Sequence, residues 1–450
     1  MSRIAADQIP PGGQADSANR PAPTRTALSD AAWRKRLDAI AADPRMHERN
    51  ITLPASSAGK VSRPMLVVGI ALLVVSAIGA FSISFRHALA GLEIGIFTAL
   101  AISLGSFFWV MVFHALNAGW TVTIRRQLEN IGSLVWLPWL AILIIGIVEV
   151  ASGGVLLEWL DPGAREGNYL INKKAPYLNG PFFLVRILIY GVVWIALGRS
   201  LLAWSRRGDE TGDRTLGRKS RFWSSLGIPF FALATSFCAF DFLMSLDYRF
   251  FSTMWGVYYF ASCALGGLAM VALVTSMLRA AGRLQGLVTE EHNHDLGKLI
   301  FGFTVFWAYI SFSQYFLIWY SNIPEETMWY TARYTSGWRW LFLTLAFGHF
   351  VVPFLILIFR GVKRSPRLLA IMSVFLIVMI ALDMAYIILP MISIGHTEST
   401  TIPGMLIHAA GALGVLFMFG WFVCGTITKS PLIPTKDPKL HEALKHKNYV

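Results

Sequence analysis

The feature that most constrains this chain is a series of ten apolar segments, each close to the length of a membrane-crossing helix. They cover roughly residues 64–85, 92–117, 130–153, 181–204, 223–245, 254–278, 297–320, 338–359, 367–391 and 404–427. A helix of about 20 apolar residues crosses the hydrocarbon core of a bilayer. No segment alternates apolar and polar residues with a period of two, as strands of a membrane barrel do. The sequence therefore predicts an all-α integral membrane protein with ten transmembrane helices.

Composition and charge support this prediction. Hydrophobic residues make up 55% of the chain and charged residues only 14%, too few to cover the surface of a soluble protein of this length. The net charge of +13 does not indicate nucleic-acid binding, because the basic residues lie mainly in loops. Twenty Lys and Arg residues follow even-numbered segments or lie in the C-terminal tail, and seven lie on the other side. This bias predicts that both termini are cytoplasmic, as in a bacterial inner-membrane protein.

The regions that flank the ten segments differ from them in composition. Residues 1–62 are predicted to form a cytoplasmic tail that begins with a disordered stretch rich in Pro and Gly. Within it, Trp33, Leu37 and Ile40 have helical spacing and follow a candidate N-cap, Ser29. This pattern predicts a short amphipathic helix over about 28–43, in contact with lipid or with a partner protein. The membrane domain is then 63–428, and 429–450 is a basic cytoplasmic tail.

Ionisable residues inside apolar segments are costly, so each is a candidate for function. Away from segment edges these residues are His114, Glu149, Arg186, Arg199, Asp241, His349, Asp383 and His408. With a rise of about 1.5 Å per residue, His349 falls near the middle of its segment and Asp383 about 6 Å outward. Glu149 and Asp241 lie about 10 Å outward by the same measure. All three acids are thus predicted in the outer half.

These acids suggest a path for protons between the outer face and the midplane. An isolated carboxylate in an apolar medium is neutral unless it is paired, and Arg186 is a candidate partner for one of the three. The path candidates are Glu149, Asp241, Asp383, His349, Arg186 and Tyr309. The other interpretation is that each acid caps a helix end or pairs with nearby backbone. The sequence leaves both open.

Metal and haem ligands are not expected in this chain. Cys238, Cys263 and Cys424 are far apart and lie in apolar sequence, without the clustered spacing of iron–sulfur, c-type haem or zinc sites. A b-type haem held by two histidines needs them at matching depth on facing helices. His349 is near the middle, whereas His114 is inner and His408 outer, so no pair matches.

Several strings resemble a known family. They are FCAFDFLMSLDYRFFSTMWGVYYFAS, FWAYISFSQYFLIWYSNIPEETMWY, HALNAGWTVTIRRQLE and YLNGPFFLVRILIY. Together they resemble the membrane subunits of alternative complex III, a bacterial assembly that oxidises quinol and reduces cytochrome c or an oxidase. These subunits belong to the NrfD-type, or polysulfide-reductase, membrane-anchor family. The resemblance covers most of residues 64–430.

The resemblance implies two four-helix bundles, formed by segments 2–5 and 6–9, with the first and last segments peripheral. It also implies partners: a sister NrfD-type subunit that binds quinol, an iron–sulfur subunit and multihaem cytochrome c subunits. Haem c and iron–sulfur clusters are then expected on these partners and none on this chain, which otherwise contacts lipid.

The second segment departs from the quinol-binding sister. That subunit carries a His-Ala-Gly string in the outer half of this segment, where the present chain reads AISLGSFFWV. The resemblance is therefore to the other, non-catalytic subunit. The first alternative is direct quinol binding in the outer half, at Asp241, Ser106 and Arg186. The second is a proton-coupled secondary transporter that uses the same carboxylates.

Overall fold

The structure, a computed structural model, describes residues 29–334, 337–392 and 401–447. This part of the chain consists of helices and connecting loops and contains no β-strand. Ten of its helices are long and apolar enough to cross a membrane, which agrees with the predicted number. They are α1 (Ala55–Ser82), α2 (Phe85–Ala115), α3 (Gly119–Ser152), α4 (Gly180–Thr211), α5 (Arg214–Met244), α6 (Trp255–Ala280), α7 (Glu290–Ser321), α8 (Arg339–Leu357), α9 (Pro366–Ile392) and α10 (Ile402–Ile427).

Two helices, α2 and α6, are the most deeply buried of the ten and lie against each other. Helix α3 packs against α2, α4 packs against α3, and α5 packs against both α4 and α2. In the same order, α7 packs against α6, α8 packs against α7, and α9 packs against both α8 and α6. Helices α1 and α10 pack against each other and against α2.

The α2–α6 contact depends on glycine. A Cβ atom added at Gly105 would overlap the backbone carbonyl of Cys263, and one added at Gly267 would overlap the backbone of Gly105 and Ser106. Small residues let two apolar helices approach until their backbones touch. Such close packing increases the dispersion contacts between the helices, which matters in a bilayer because lipid is as apolar as the helix surface. Nearby, the indole of Trp109 donates to the carbonyl of Ala264 at 2.9 Å.

Several helices begin earlier than the apolar segments predict. Helix α2 begins at Phe85 rather than near residue 92, and α3 begins at Gly119 rather than near residue 130. The N-terminal parts of both contain polar residues, which a search for apolar runs reads as loop. In α3 these are Arg125, Arg126 and Glu129, which are buried and paired with one another through Glu129.

The chain divides into two units, residues 1–46 and 47–450. In the first unit, the helix Asp30–Ala41 overlaps the segment predicted as amphipathic. The hydroxyl of Ser29 accepts a hydrogen bond from the backbone N–H of Ala32 at 3.2 Å, so this side chain caps the helix start.

The C-terminal segment 429–447 is docked onto the helix ends. Asp437 forms an ion pair with Arg125, and the backbone N–H of Thr435 donates to Asp209 Oδ1 on α4 at 2.8 Å. Burial by itself would raise the pKa of Asp437, but the charge and hydrogen bond of Arg125 lower it below its ordinary value. Farther on, His446 Nε2 lies 2.5 Å from Asp295 Oδ2 on α7. This segment therefore ties together the ends of three helices.

Replacing Gly105 with Val tests the α2–α6 contact. The added side chain must push the backbones apart, and overpacking of this kind costs about 1–3 kcal/mol. We expect a lower thermal denaturation temperature for the purified protein in detergent. Gly302→Val on α7 is the matched control, because a Cβ at Gly302 meets no atom within 4 Å. Equal denaturation temperatures for the two variants would contradict the assignment of Gly105 to a close helix contact.

Candidate functional site

Asp241 is paired with a cation on the neighbouring helix. Arg186 on α4 approaches it in a two-point contact, with Nε 2.8 Å from Oδ2 and one terminal nitrogen 2.9 Å from Oδ1. The hydroxyl of Tyr190, one helical turn along α4, donates to Oδ2 at 2.6 Å. Asp241 is fully buried and Arg186 is 5% exposed. Both oxygens of the carboxylate are thus engaged.

Arg186 has partners of its own beyond Asp241. A further nitrogen donates to the carbonyl of Tyr177 at 2.8 Å, and the guanidinium lies 3.9 Å from the centre of the Tyr177 ring and 4.6 Å from that of Phe182. Such contacts hold a guanidinium in place through its flat face as well as its edge. The sequence predicts Arg186 as a candidate partner for one of the acids, and the structure places it on Asp241.

Asp383 on α9 has neutral partners instead. Its Oδ1 accepts a hydrogen bond from the hydroxyl of Tyr258 on α6. Its Oδ2 accepts from the hydroxyl of Ser262 at 3.1 Å and from the indole nitrogen of Trp307 on α7 at 3.2 Å. The residue is fully buried. Among the described residues no cation is hydrogen-bonded to it, so a proton can bind here without breaking an ion pair there.

His349 on α8 lies beside this cluster. Its ring stacks on Trp307, with 3.8 Å between ring centres and 25° between planes. Neither ring nitrogen has a hydrogen-bond partner among the described residues, although the residue is fully buried. His349 lies in a π-helical stretch, Leu345–Val351. The cause is local: Pro353 has no N–H to donate to the carbonyl of His349 four residues before it, so the regular helix pattern fails there.

Glu149 caps the end of its own helix. Its oxygens accept backbone N–H groups from Val155 at 2.8 Å, Leu156 at 3.0 Å and Leu157 at 3.2 Å. The chain can turn back in this way because Gly153 and Gly154 both have positive φ, at 70° and 88°. The helix-end interpretation of this acid thus fits the geometry.

Glu93 is a buried acid that the sequence search for functional residues missed. It lies on α2 and is 1% exposed, and its Oε2 has no hydrogen-bond partner among the described residues. The search placed Glu93 at a segment edge because the segment was drawn from residue 92. A helix drawn from its N-terminal polar turn would have placed the acid two turns inside.

Ser106 and Tyr309 do not join these clusters. Ser106 is buried and its hydroxyl donates to the carbonyl of Ile102 on its own helix at 2.8 Å. Tyr309 is 65% exposed on the side of α7. It lines a cavity of about 370 Å³ between α7 and α8, whose mainly aromatic wall also includes Tyr258 and Trp307. Of the three residues suggested for quinone binding, Asp241 and Arg186 are in contact with each other. The hydroxyl of Ser106 instead bonds to the backbone of its own helix.

A second cavity lies above Glu149. It measures about 260 Å³ and its wall is mainly polar, with Arg86, Glu158, Asp247 and Arg249 among its residues. The backbone at Val155 and Leu156, whose N–H groups bind Glu149, forms part of the same wall. One peptide layer thus separates a polar cavity from a buried carboxylate.

No protein-family model matches the chain, and no curated protein resembles it at a significant level. In the described residues, no group of three or more His, Cys, Asp and Glu side chains is placed to hold a metal ion.

Replacing Asp241 with Asn tests whether its pair with Arg186 is structural. The change leaves a buried guanidinium without its counter-ion, which costs about 3–5 kcal/mol. We expect a marked fall in thermal stability, and recovery in the double variant Asp241→Leu with Arg186→Met, because an apolar pair of similar size needs no charge partner.

The matched control is Glu290→Gln, which removes an acid from an exposed pair with Arg364. Such pairs contribute about 0–1 kcal/mol. A stable Asp241→Asn protein with altered proton transfer would assign Asp241 to the proton path instead.

Proposed function

We propose that the chain is a multi-pass protein of the bacterial cytoplasmic membrane with both termini in the cytoplasm. Its ten apolar helices and the excess of Lys and Arg on one side support this topology. We also propose two four-helix bundles, α2–α5 and α6–α9, with α1 and α10 at the periphery. The closed order of helix contacts around α2 and around α6 supports that arrangement.

We propose that the protein is a membrane subunit of a quinol-oxidising electron-transfer complex of the alternative complex III type. In this proposal it holds the assembly together in the membrane. The redox groups, haem c and iron–sulfur clusters, belong to partner subunits, and a sister subunit binds quinol. The four strings of sequence that resemble this family are the support for the assignment.

The observation that most directly supports a role in proton transfer is the environment of Asp383. A buried carboxyl with three neutral donors, from Tyr258, Ser262 and Trp307, changes its charge without leaving a cation unpaired. His349 stacks on the ring of Trp307, whose indole nitrogen donates to Asp383. A proton that reaches this cluster therefore has a carboxylate and an imidazole as successive acceptors.

A different acid, Asp241, is less suited to this role. Protonating it would strand the Arg186 charge in an apolar region, at a cost of several kcal/mol. We therefore assign Asp241 to holding α4 and α5 together, and proton transfer to the Asp383 cluster.

A second candidate function is direct binding of quinol. The aromatic cavity between α7 and α8 favours it, because an apolar ring fits such a wall and the hydroxyl of Tyr258 connects the cavity to Asp383. This location differs from the Asp241, Ser106 and Arg186 set that the sequence suggests.

Purification under mild detergent tests the assignment to a complex. A tag at the N-terminus leaves the docked C-terminal segment intact. We expect subunits that stain for haem and an iron–sulfur subunit to copurify and to be identified by mass spectrometry. A chain that is recovered alone and colourless would contradict the redox assignment.

Replacing Asp383 with Asn in that complex tests the proton role. Asparagine keeps the shape and most of the hydrogen bonds but cannot take up a proton at this site. In membrane vesicles we expect quinol oxidation to continue while the number of protons moved per electron falls. Asp161→Asn, a loop acid that caps the short helix after it, is the control. Unchanged proton movement in the Asp383→Asn vesicles would refute the role.

A further inference from the structure

A third cavity lies at the helix ends that the charge bias predicts to be cytoplasmic. It measures about 670 Å³ and lies where α1 and α10 meet α3 and α4. Two residues of its wall give its depth. Ser62 comes just before the first apolar segment, and Lys429 comes just after the end of α10 at Ile427. The cavity therefore lies at the level where these helices leave the apolar core of the bilayer.

The side chains that line this cavity include three cations and no acid. Arg199 and Arg206 lie on α4, and Lys429 follows α10. None of the three forms an ion pair with a described residue. One terminal nitrogen of Arg206 lies 3.5 Å from Asn130 Oδ1, whereas its Nε is buried without a hydrogen-bond partner among the described residues. The cavity thus has an excess of positive charge.

The acids near these helix ends are paired with other arginines. Glu129 pairs with both Arg125 and Arg126. Asp209 pairs with Arg126, and Asp437 pairs with Arg125. Within the part of the chain that the structure describes, these neighbouring cations have acidic partners and the cations of the cavity do not. An anion from outside the chain therefore fits the cavity.

The aromatic part of the wall suits a lipid better than a bare anion. Trp136, Trp421 and Phe422 line the cavity together with the cations. The rings of Trp136 and Phe422 contact edge to face, with 6.3 Å between their centres. Tryptophan is enriched at the headgroup level of membranes, where one side of the ring meets apolar chains and the other meets polar groups. A ligand with both a charged and an apolar part matches this wall.

Two hydroxyl residues of the wall favour a headgroup that has hydroxyls of its own. The Ser133 hydroxyl donates to the carbonyl of Asn130 at 2.8 Å, and the Thr426 hydroxyl donates to that of Phe422 at 3.0 Å. Because each hydroxyl has one proton, its oxygen remains only as an acceptor. A glycerol headgroup supplies donors for these oxygens, whereas an ionised phosphate does not.

We propose that this cavity binds the headgroup of one acidic phospholipid of the phosphatidylglycerol class. Arg199 and Arg206 bind the phosphate, because guanidinium groups present paired N–H donors that match phosphate oxygens. Lys429 adds a third positive charge, and basic pockets between transmembrane helices bind acidic headgroups in this way. The bound lipid joins the outer pair of helices, α1 and α10, to α3 and α4. This proposal depends on the proposed membrane topology and not on the redox assignment.

Native mass spectrometry of the purified full-length protein in detergent tests the site with defined lipids. The protein is titrated with phosphatidylglycerol and, in parallel, with phosphatidylcholine of the same acyl chains, whose headgroup has no net charge. Glycerol 3-phosphate is the competitor that represents the free anion. We expect one phosphatidylglycerol to bind more tightly than phosphatidylcholine and to resist displacement by glycerol 3-phosphate. Displacement at equal concentrations would assign the site to a free phosphate and overturn the lipid proposal.

Removing the three cations tests which residues form the site. One Lys or Arg near an anionic lipid contributes about fivefold in affinity, so the triple change should weaken phosphatidylglycerol binding about a hundredfold. The variant combines Arg199→Gln, Arg206→Gln and Lys429→Gln.

A matched control removes the same charge outside the cavity. Its three arginines are exposed on the same predicted side and do not line the cavity, so binding should be retained. The control combines Arg207→Gln, Arg218→Gln and Arg221→Gln. Equal loss of binding in the two triple variants would show a general attraction of charges and refute the site.

Lys429→Gln alone keeps the test valid if the triple variant does not fold. Lys429 is exposed and lies beyond the end of its helix, so its replacement leaves the packing of the helices intact. We expect about a fivefold loss of affinity for phosphatidylglycerol and recovery with Lys429→Arg, which keeps the charge. Unchanged affinity in Lys429→Gln would contradict its place in the site.

The proposed function and this site fail in different ways. A complex that copurifies with its haem and iron–sulfur subunits but retains no phosphatidylglycerol would refute the lipid site alone. A chain that is recovered without partners and still binds the lipid with the expected selectivity would refute the redox assignment and support the site.

Discussion

The structure depends above all on how it accommodates negative charge in an apolar interior. Four of the acids that are buried in the long helices each have a different environment. Asp241 has a guanidinium, Asp383 has neutral side-chain donors, and Glu149 has backbone N–H groups. Glu93 is 1% exposed, and its Oε2 has no hydrogen-bond partner among the described residues. An unpaired charge is most costly where water is absent, so the packing of these helices depends on the partners that the acids have.

Irregular helix geometry places two of the key side chains. Asp241 lies in the π-helical turn Phe240–Met244 at the end of α5, and His349 lies in the longer π-helical stretch of α8. A π turn inserts one extra residue per turn and rotates the side chains that follow. In α5 this turn comes directly before a loop, and the Ser245 hydroxyl donates to the carbonyl of Asp241 at 2.5 Å. Regular helices would direct both side chains elsewhere.

Much of the architecture could be predicted from the sequence, since long apolar runs determine the number of helices. Arg186 could be predicted as a partner for an acid, because charges buried in apolar segments need one. The partners of Asp383 could not, since Tyr258 and Trp307 are far from it in sequence and their contact depends on how α6 and α7 rotate. Glu93 was missed for another reason. The apolar run begins near it, whereas the helix begins at Phe85, so an interior residue looked terminal.

The docked C-terminal segment has a consequence for biogenesis. Ribosomes make the chain from its N-terminus, so α3, α4 and α7 are inserted well before residues 429–447 exist to join them. Until then Arg125 lacks Asp437, and Asp209 lacks the backbone N–H of Thr435. The contacts between this segment and the ends of these helices thus form only after α10 has been made. A chain truncated before residue 429 would therefore lack all of these contacts, and Arg125 would keep only Glu129 as its partner.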